Sequence, residues 1–323
     1  MQARDVLAAL APGDAVSGAT LAERAGVTRA AIWKQIEILR SKGVPIEARG
    51  AAGYRLPWPL QMLDVATIRS FLPPAIAQRL GGLDVHWELD STSTELQRRS
   101  GEAPDLSVVL AETQSAGRGR RGRSWLSPPG LNLYLSCLKR FDGGFVALQG
   151  LSLALGVIVL RALESLDIVG VGLKWPNDLL AAQGKLGGIL VELSGEYQGP
   201  CAAVIGIGLN LRLTEALREQ AGQPSQDMAS LHGGVPPDRN AVAAALIQAL
   251  AEGLETFERE GFAGFAEAYR RHDLLLGKAL RLTGAAGELE GIGAGVDLGG
   301  ALLLETGEGL RRIDSADVSV RRL

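Results

Sequence analysis

Apolar residues in the first 60 positions recur at helical spacing and then give way to short alternating runs. Ile32, Ile36 and Leu39 fall on one face of a segment that Thr28 can cap and Gly43 can end, which predicts a helix over residues 29–41. Shorter helices are predicted over 3–10 and up to residue 25, and two short strands around a glycine turn over 44–56. Three helices and a hairpin are typical of a winged helix-turn-helix. A helical packing or dimerisation module is the alternative.

In a winged helix-turn-helix, the second helix of the pair enters the major groove of DNA and the wing contacts phosphates. The chain as a whole carries a formal charge of -3, but residues 1–60 hold eight Lys or Arg against five Asp or Glu. This local excess of positive charge favours a DNA contact. The predicted DNA-contacting residues are Thr28, Arg29, Ala30, Trp33 and Lys34 of the helix and Arg49 and Arg55 of the wing.

From about residue 63, strand-like apolar runs alternate with helices, which predicts a mixed α/β domain. Strands are expected at 83–89, 107–112, 132–138, 171–175, 186–193 and 202–209. Helices are expected at 93–99, 147–166, 240–260 and 264–271. Residues 220–237 are rich in Gly, Pro, Ser and Gln and are expected to form a surface excursion without chemistry.

After residue 273 the pattern changes to short runs at 279–282, 287–292 and 301–305, typical of a small β-barrel. We therefore expect an α+β chain with domains at 1–62, 63–272 and 273–323. The apolar stretch 151–160 is too short to span a bilayer, and a cytoplasmic location without a membrane partner is expected. Cys137 and Cys201 lie in apolar segments and are predicted to be buried free thiols.

A basic loop, Gly117-Arg118-Gly119-Arg120-Arg121-Gly122-Arg123-Ser124-Trp125, is the clearest candidate for chemistry. Glycine allows close approach of the backbone, and arginine offers a fork of donors to carboxylate or phosphate oxygens, so the loop predicts an anion site. The alternative, a disordered basic loop, is disfavoured by the Ser-Pro-Pro-Gly turn and the strand that follow. The glycines spell a dinucleotide-binding motif, but residues 124–129 cannot form the helix that this motif needs.

Three further clusters stand out, each with a simpler alternative. Asp90-Ser91-Thr92-Ser93 is also suited to capping a helix. The alternative for Lys174-Trp175-Pro176-Asn177-Asp178 is a turn with a packed Trp, and for Gly184-Lys185-Leu186-Gly187-Gly188-Ile189 it is a hairpin with an exposed lysine.

In order and spacing, these clusters and the basic loop resemble those of the biotin protein ligases, specifically the bifunctional type that also represses the biotin operon. The resemblance also takes in residues 17–43 and 295–305, so it covers all three segments. It implies a winged helix-turn-helix, a central class II synthetase-like ligase domain around a mixed sheet, and a C-terminal SH3-like barrel. Two departures are a Ser at position 93 and a Trp at position 33, where the usual patterns have Asn. The operator preference is expected to differ accordingly.

The resemblance implies that biotin is activated by ATP and Mg²⁺ as biotinyl-5'-AMP and passed to a lysine of the biotin carboxyl carrier protein. It further implies a homodimer that binds operator DNA when biotinyl-5'-AMP is bound. Since both reactants of the first step are anions, fixed cations and Mg²⁺ suit it. A lipoate-protein ligase, or a ligand-sensing transcription factor without ligase activity, are the alternatives.

The resemblance also assigns site residues, with no assignment of metal ligands. The catalytic residues are Lys185, Arg118, Arg120 and Arg121. The biotin contacts are Ser91, Thr92, Ser93, Gln114, Gly117, Arg118, Gly119, Arg120 and Lys185. The nucleotide contacts are Arg118, Arg121, Trp125, Asn177, Lys185 and Asn210.

Overall fold

The computed structural model of the chain describes residues 2–284, 287–314 and 319–322. In chain order they form a small helical module, a larger domain built on a seven-stranded sheet, and a five-stranded antiparallel sheet. The α+β class and the order of the three parts are confirmed, whereas the boundaries after residues 62 and 272 stay predictions. No helix in these described ranges is both long and apolar enough to cross a membrane.

The N-terminal module is a helix-turn-helix followed by a short hairpin. Thr28 caps the third helix, because its Oγ1 accepts a hydrogen bond from Ala31 N at 3.2 Å. Ile32, Ile36 and Leu39 are buried as predicted, so this helix presents its other face to solvent. The elements are α1 (Ala3–Leu10), α2 (Gly18–Ala25), α3 (Arg29–Ser41), β1 (Glu47–Ala48) and β2 (Tyr54–Arg55).

The central domain is built on a mixed sheet in the order β3-β4-β5-β9-β8-β7-β6, in which β3 and β4 are parallel and the other neighbours antiparallel. The strands are β3 (Gly82–Leu89), β4 (Ser107–Gln114), β5 (Leu133–Phe141), β6 (Gly172–Lys174), β7 (Asp178–Ala181), β8 (Gly184–Gly195) and β9 (Cys201–Leu209). The short β7 was not predicted. It forms hairpins with both neighbours, so Asp178 and Lys185 lie on adjacent strands.

Helices cover both faces of this sheet. The central helices are α4 (Val65–Phe71), α5 (Pro74–Arg79), α6 (Thr92–Arg99), α7 (Leu151–Glu164), α8 (Glu215–Gln220), α9 (Met228–Leu231), α10 (Arg239–Glu260) and α11 (Ala263–His272). The main core lies between the sheet and α7 and α10, where alternate residues of β9 such as Ile205 and Ile207 are buried. On the opposite face α6 packs through Leu96 against Leu138 and Val204.

The single helix predicted over 147–166 is wrong. A 3-10 turn, Phe145–Leu148, precedes α7, and Gly150 between them has a left-handed φ of 75°. A Cβ at Gly150 would lie 2.6 Å from the Cβ of Phe262, so the close approach of α11 requires a glycine that interrupts the helix.

The C-terminal part is an antiparallel sheet in the order β13-β12-β11-β10-β14. Leu280, Leu302 and Leu304 join the main core, which therefore extends across the central and C-terminal sheets. The strands are β10 (Ala279–Gly284), β11 (Gly287–Val296), β12 (Leu302–Thr306), β13 (Gly309–Ile313) and β14 (Ser319–Arg322).

Candidate active site

A cleft lies on the α6 face of the central sheet, over a floor of glycines. Because side chains alternate along β9, Gly206 and Gly208 face the cleft while their neighbours face the core. A Cβ at Gly206 would lie 2.6 Å from Ser93 Oγ, and one at Gly208 would lie 2.5 Å from Trp125 Cε2. Glycine is therefore what lets the side chains above approach the sheet backbone.

One end of the cleft holds a group of hydroxyls at the start of α6. Thr92 Oγ1 and Ser93 Oγ lie 2.7 and 3.0 Å from Ser136 Oγ, and Thr92 N donates to Gln114 Oε1 at 2.9 Å. Ser91 occupies the cap position, but its side chain makes no capping hydrogen bond. The helix-capping alternative therefore does not account for these residues, and the polar side chains line a pocket instead.

Ser136 was not among the predicted contacts. Its signal in the sequence was a hydroxyl between two apolar neighbours, Leu135 and Cys137, and the structure places it opposite Gly206 on β9. The buried hydroxyl links Thr92 and Ser93, so the pocket wall is a connected polar network.

The other end of the cleft holds an ion pair under an indole ring. Lys185 Nζ lies 2.6 Å from Asp178 Oδ1 and 5.4 Å from the centroid of the Trp125 ring. The Trp125 indole N–H is buried and finds no partner among the described residues. The ammonium group of Lys185 and the unpartnered indole N–H of Trp125 lie side by side, an arrangement that suits an anionic ligand with a flat ring.

The two asparagines predicted near the nucleotide have structural partners. Asn177 Nδ2 donates to Ile189 O at 2.7 Å. Asn210 Nδ2 donates to the carbonyls of Lys185 and Gln226, each at 3.2 Å. Both amides therefore hold the backbone of the Lys185 strand. Their carbonyl oxygens and the second N–H of Asn177 are the groups proposed for a nucleotide contact.

The basic loop is ordered by its own backbone and by two acceptors on neighbouring elements. Gly119 N donates to Arg123 O at 2.7 Å. Arg118 Nη2 reaches Glu192 Oε2 at 2.8 Å and Gln97 Oε1 at 3.0 Å. Burial lowers the pKa of Arg120, with Asp178 acting in the opposite direction, so this guanidinium is partly desolvated beside the cleft.

A second, larger cavity of about 1070 Å³ adjoins the first along the basic loop. Its far wall includes Gly299 and Gly300 of the C-terminal part. Trp175 Nε1 donates to Gly300 O at 2.9 Å, so the turn that carries Asp178 is fixed to the C-terminal sheet. Residues of the basic loop line both cavities, so the loop can contact one part of a ligand in each.

Residues 220–237 were expected to form a surface excursion without chemistry, and the surface position is wrong for the middle part. Lys185 N donates to Pro224 O and Gln226 N donates to Lys185 O, both at 2.9 Å. Gln226 and Asp227 are buried, and Gln223 lines the cleft. Composition alone could not predict the burial of this segment, because its backbone hydrogen bonds are made with a strand about 40 residues away along the chain.

Three family models match successive parts of the chain: an HTH domain over 3–55, the biotin/lipoate A/B protein ligase family over 87–210, and the biotin protein ligase C-terminal domain over 275–321. The chain is 39% identical over 319 residues to the bifunctional ligase/repressor BirA of Salmonella typhimurium and to that of Escherichia coli, covering 98% of this chain and 96% of each relative. The chain belongs to the bifunctional ligase/repressor family. This membership supports the biotin ligase and repressor interpretation over both alternatives.

A solved relative of this ligase/repressor agrees with the fold. The biotin protein ligase of Aquifex aeolicus, in complex with biotin and ATP, is 31% identical with a TM-score of 0.64, and the match covers 75% of this chain and 99% of that one. The Bacillus subtilis ligase/repressor is 31% identical over 311 residues, 94% of each chain.

In the DNA-binding module of the ligase/repressor, the helix and the wing differ in how far carboxylates pair with their positive side chains. Arg29, Ala30, Trp33 and Lys34 are exposed along one side of α3, as predicted. In the wing, however, Arg49 and Arg55 both contact the carboxylate of Glu47, at 2.5 and 3.0 Å. Their predicted contact with DNA stays a prediction, and part of their charge is already compensated. The Oγ1 of Thr28 accepts the capping hydrogen bond from Ala31 N.

The remaining candidates for chemistry in this family member are structural. Cys137 and Cys201 are buried free thiols, as predicted. Burial raises the pKa of Cys137 to about 12, which makes a thiolate nucleophile unavailable at neutral pH. Among the described residues, no group of three or more His, Cys, Asp or Glu side chains is placed to hold a metal ion.

Proposed function

We propose that the cleft binds biotin and ATP, joins them as biotinyl-5'-AMP, and passes biotin to a lysine of the biotin carboxyl carrier protein. One observation carries the proposal. Three segments that are distant in the chain line one cleft. They are the hydroxyl-bearing residues 91–93, the basic loop at 117–125, and the ion pair of Asp178 and Lys185. They meet there in a family whose relatives are ligases.

The hydroxyl end suits the neutral head of biotin. A ureido ring needs a few polar partners in an otherwise uncharged pocket. Ser91, Thr92 and Gln114 offer hydroxyl and amide groups there, and the glycine floor leaves room for a flat ring. Ser93 replaces an Asn of the usual family pattern, and its hydroxyl is bonded to Ser136. The polar wall is thus supported from β5 rather than by a longer amide.

The charged end suits the reacting groups. In the first step a carboxylate oxygen of biotin attacks the α-phosphorus of ATP, and pyrophosphate leaves. Lys185 is the residue proposed to hold the oxygens that gain charge, since its ammonium group lies within the cleft beside Trp125. Arg118, Arg120 and Arg121 line the neighbouring cavity, where the leaving pyrophosphate would carry its charge.

Mg²⁺ is part of the proposal as an ion that arrives on the phosphates of ATP and neutralises their charge. Mg²⁺ keeps several waters and takes one or two protein carboxylates. The described residues fit that demand, because Asp178 lines the cleft and Glu192 lines the neighbouring cavity. To hold the ion, either carboxylate would give up part of its present ion pair, with Lys185 or with Arg118.

In the second step the amine of the carrier lysine attacks the acyl carbon, the bond to the AMP oxygen breaks, and the amine loses a proton to solvent. This step needs no nucleophile from the protein. The bottom of the cleft is closed by the sheet, so the carrier lysine has to enter past the basic loop. We propose that Trp125 stacks on the adenylate during this step and holds it against water.

The ligase proposal is tested by mass spectrometry of a biotin carboxyl carrier domain incubated with the full chain, biotin, ATP and Mg²⁺. The expected result is the gain of one biotin per carrier, which disappears without ATP. If the carrier gains nothing while free biotinyl-5'-AMP accumulates, the transfer step is wrong. If neither product forms, the ligase proposal as a whole is wrong.

For the repressor half, we propose a homodimer that binds operator DNA more tightly when biotinyl-5'-AMP is bound. Direct contacts join the DNA-binding module and its linker to the ligase domain. Lys42 pairs with Glu88 at 2.9 Å, and the Arg212 guanidinium lies 4.3 Å from the ring centroid of Trp58. Arg212 follows the cleft residue Gly208 by four positions, so only a short segment separates the cleft from the contact with Trp58.

This half is tested by gel shift of operator-length DNA with and without biotin and ATP, together with sedimentation of the protein alone. Tighter binding and a dimer in the presence of both ligands are expected. Equal DNA affinity in the two conditions would contradict the coupling.

A further inference from the structure

The exposed side of α3 carries an indole ring that is more than half exposed to solvent. Trp33 is 57% exposed, the largest side chain on a surface otherwise formed by Arg29, Ala30 and Lys34. It sits one position after the buried Ile32 and takes no part in the module's core. A single exposed apolar ring does not define a site by itself, so the surrounding charges have to indicate what it meets.

The charges around this ring indicate which partner it meets. Arg24, Arg29 and Lys34 make no ion pair within the part of the chain that the structure describes, so their positive charge is available to a ligand. Three other arginines of the module are compensated by carboxylates, Arg40 by Glu37 and the two wing arginines by Glu47. Uncompensated cations on a helix next to an exposed ring are complementary to the phosphates that border a DNA groove.

The chemistry of base edges then limits what the ring can touch. The faces of paired bases are stacked inside the duplex, so a side chain in the major groove meets only their edges. The apolar group on those edges is the 5-methyl group of thymine. We infer that Trp33 packs on a thymine methyl group and is a residue that determines DNA sequence preference; this inference rests on the proposed repressor function.

The size of the effect follows from the area involved. Burial of one methyl group against an apolar surface changes an equilibrium about fourfold. Two half-sites of a dimeric complex, each with one such contact, change the affinity roughly sixteenfold, the square of the single-site effect. Replacing thymine by deoxyuridine removes this methyl group alone and leaves every hydrogen-bonding atom of the base in place.

The experiment uses the full chain with biotin, ATP and Mg²⁺. Duplexes of about 40 base pairs are selected from a random pool by the unmutated protein, and the selected duplex is made again with deoxyuridine at each thymine in turn. A roughly fourfold loss of affinity is expected at one thymine in each half-site, and roughly sixteenfold when both are replaced. Trp33→Asn is expected to bind the thymine and deoxyuridine duplexes equally, and Trp33→Phe to keep part of the difference. Lys34→Ala serves as the matched control, with weaker binding to both duplexes and an unchanged difference.

The outcomes separate the inference from the function on which it rests. If deoxyuridine has no effect on the unmutated protein, or the same effect on Trp33→Asn, the assignment of Trp33 is wrong although the protein is a DNA binder. If no duplex is selected at all, the repressor proposal fails and the inference falls with it. Melting curves confirm that the variants fold, since an exposed side chain contributes little to the core.

Discussion

The role proposed for Lys185 leads to a sharp kinetic prediction. Its ammonium group lies 2.6 Å from Asp178 Oδ1, and its side chain is about four-fifths buried, at 19% exposure. Removal of one well-placed donor of this kind costs about 3 kcal/mol in the transition state, roughly a hundredfold in rate. We expect Lys185→Met, which keeps most of the apolar stem, to slow formation of biotinyl-5'-AMP at least that much.

The assay is single-turnover pyrophosphate release with saturating biotin and ATP, so that the chemical step and not product release is observed. A matched control is Lys139→Met. Lys139 is similarly shielded, at 11% side-chain exposure, and pairs with Asp105 and Glu258 away from the cleft. This control is expected to adenylate biotin at an almost unchanged rate.

A double variant separates two ways in which Lys185 can act. Lys185→Met leaves the Asp178 carboxylate uncompensated, and this negative charge alone repels the anionic reactants. The double variant Lys185→Met with Asp178→Asn removes that repulsion and is expected to stay at least tenfold below the unmutated rate, because the donor is still missing. Full recovery in the double variant, or a single-variant rate within a few-fold of normal, would refute the assigned role.

Two further predictions test the glycine floor of the cleft and a buried ion pair in the core. Gly208→Ala puts a Cβ 2.5 Å from Trp125 Cε2 and so displaces the ring. The kcat/KM for adenylation is expected to fall roughly a hundredfold. The control Gly82→Ala, whose Cβ has its nearest neighbour at 3.6 Å, is expected to keep a near-normal kcat/KM. Glu112→Gln leaves Arg239 as a buried charge without its ion-pair partner; since both side chains are 3% exposed, the free energy of unfolding is expected to fall by about 3–5 kcal/mol in urea titration. A decrease below about 1 kcal/mol, typical of an exposed ion pair, would contradict that prediction.

The parts of the fold that local rules decide were predictable from the sequence. The bounds of α3 follow from the cap at Thr28, the apolar stripe and the glycine at position 43. The break at Gly150 was not predictable, because it depends on Phe262 of a helix more than a hundred residues away along the chain. β7 escaped prediction for a similar reason, as four residues carry too little pattern to distinguish a strand from a turn.

For the candidate site, the sequence supplied the residue types and the resemblance supplied their grouping. The basic loop and the lysine at position 185 could be singled out by composition alone. Their partners could not, because the contacts of Arg118 with Glu192 and of Lys185 with Pro224 join segments that are far apart in the chain. The pairing of wing arginines with Glu47 is closer in sequence, but it depends on the register of the hairpin.

The glycine floor restricts how this chain could escape an inhibitor. Resistance to a compound that fills a cleft commonly begins with a bulkier side chain beneath it. Here a Cβ at Gly206 would lie 2.6 Å from Ser93 Oγ, and one at Gly208 would displace Trp125, so each such change damages the pocket that the enzyme itself needs. Selection under a compound seated on this floor should therefore spare the glycines and yield changes outside the residues that line the cleft.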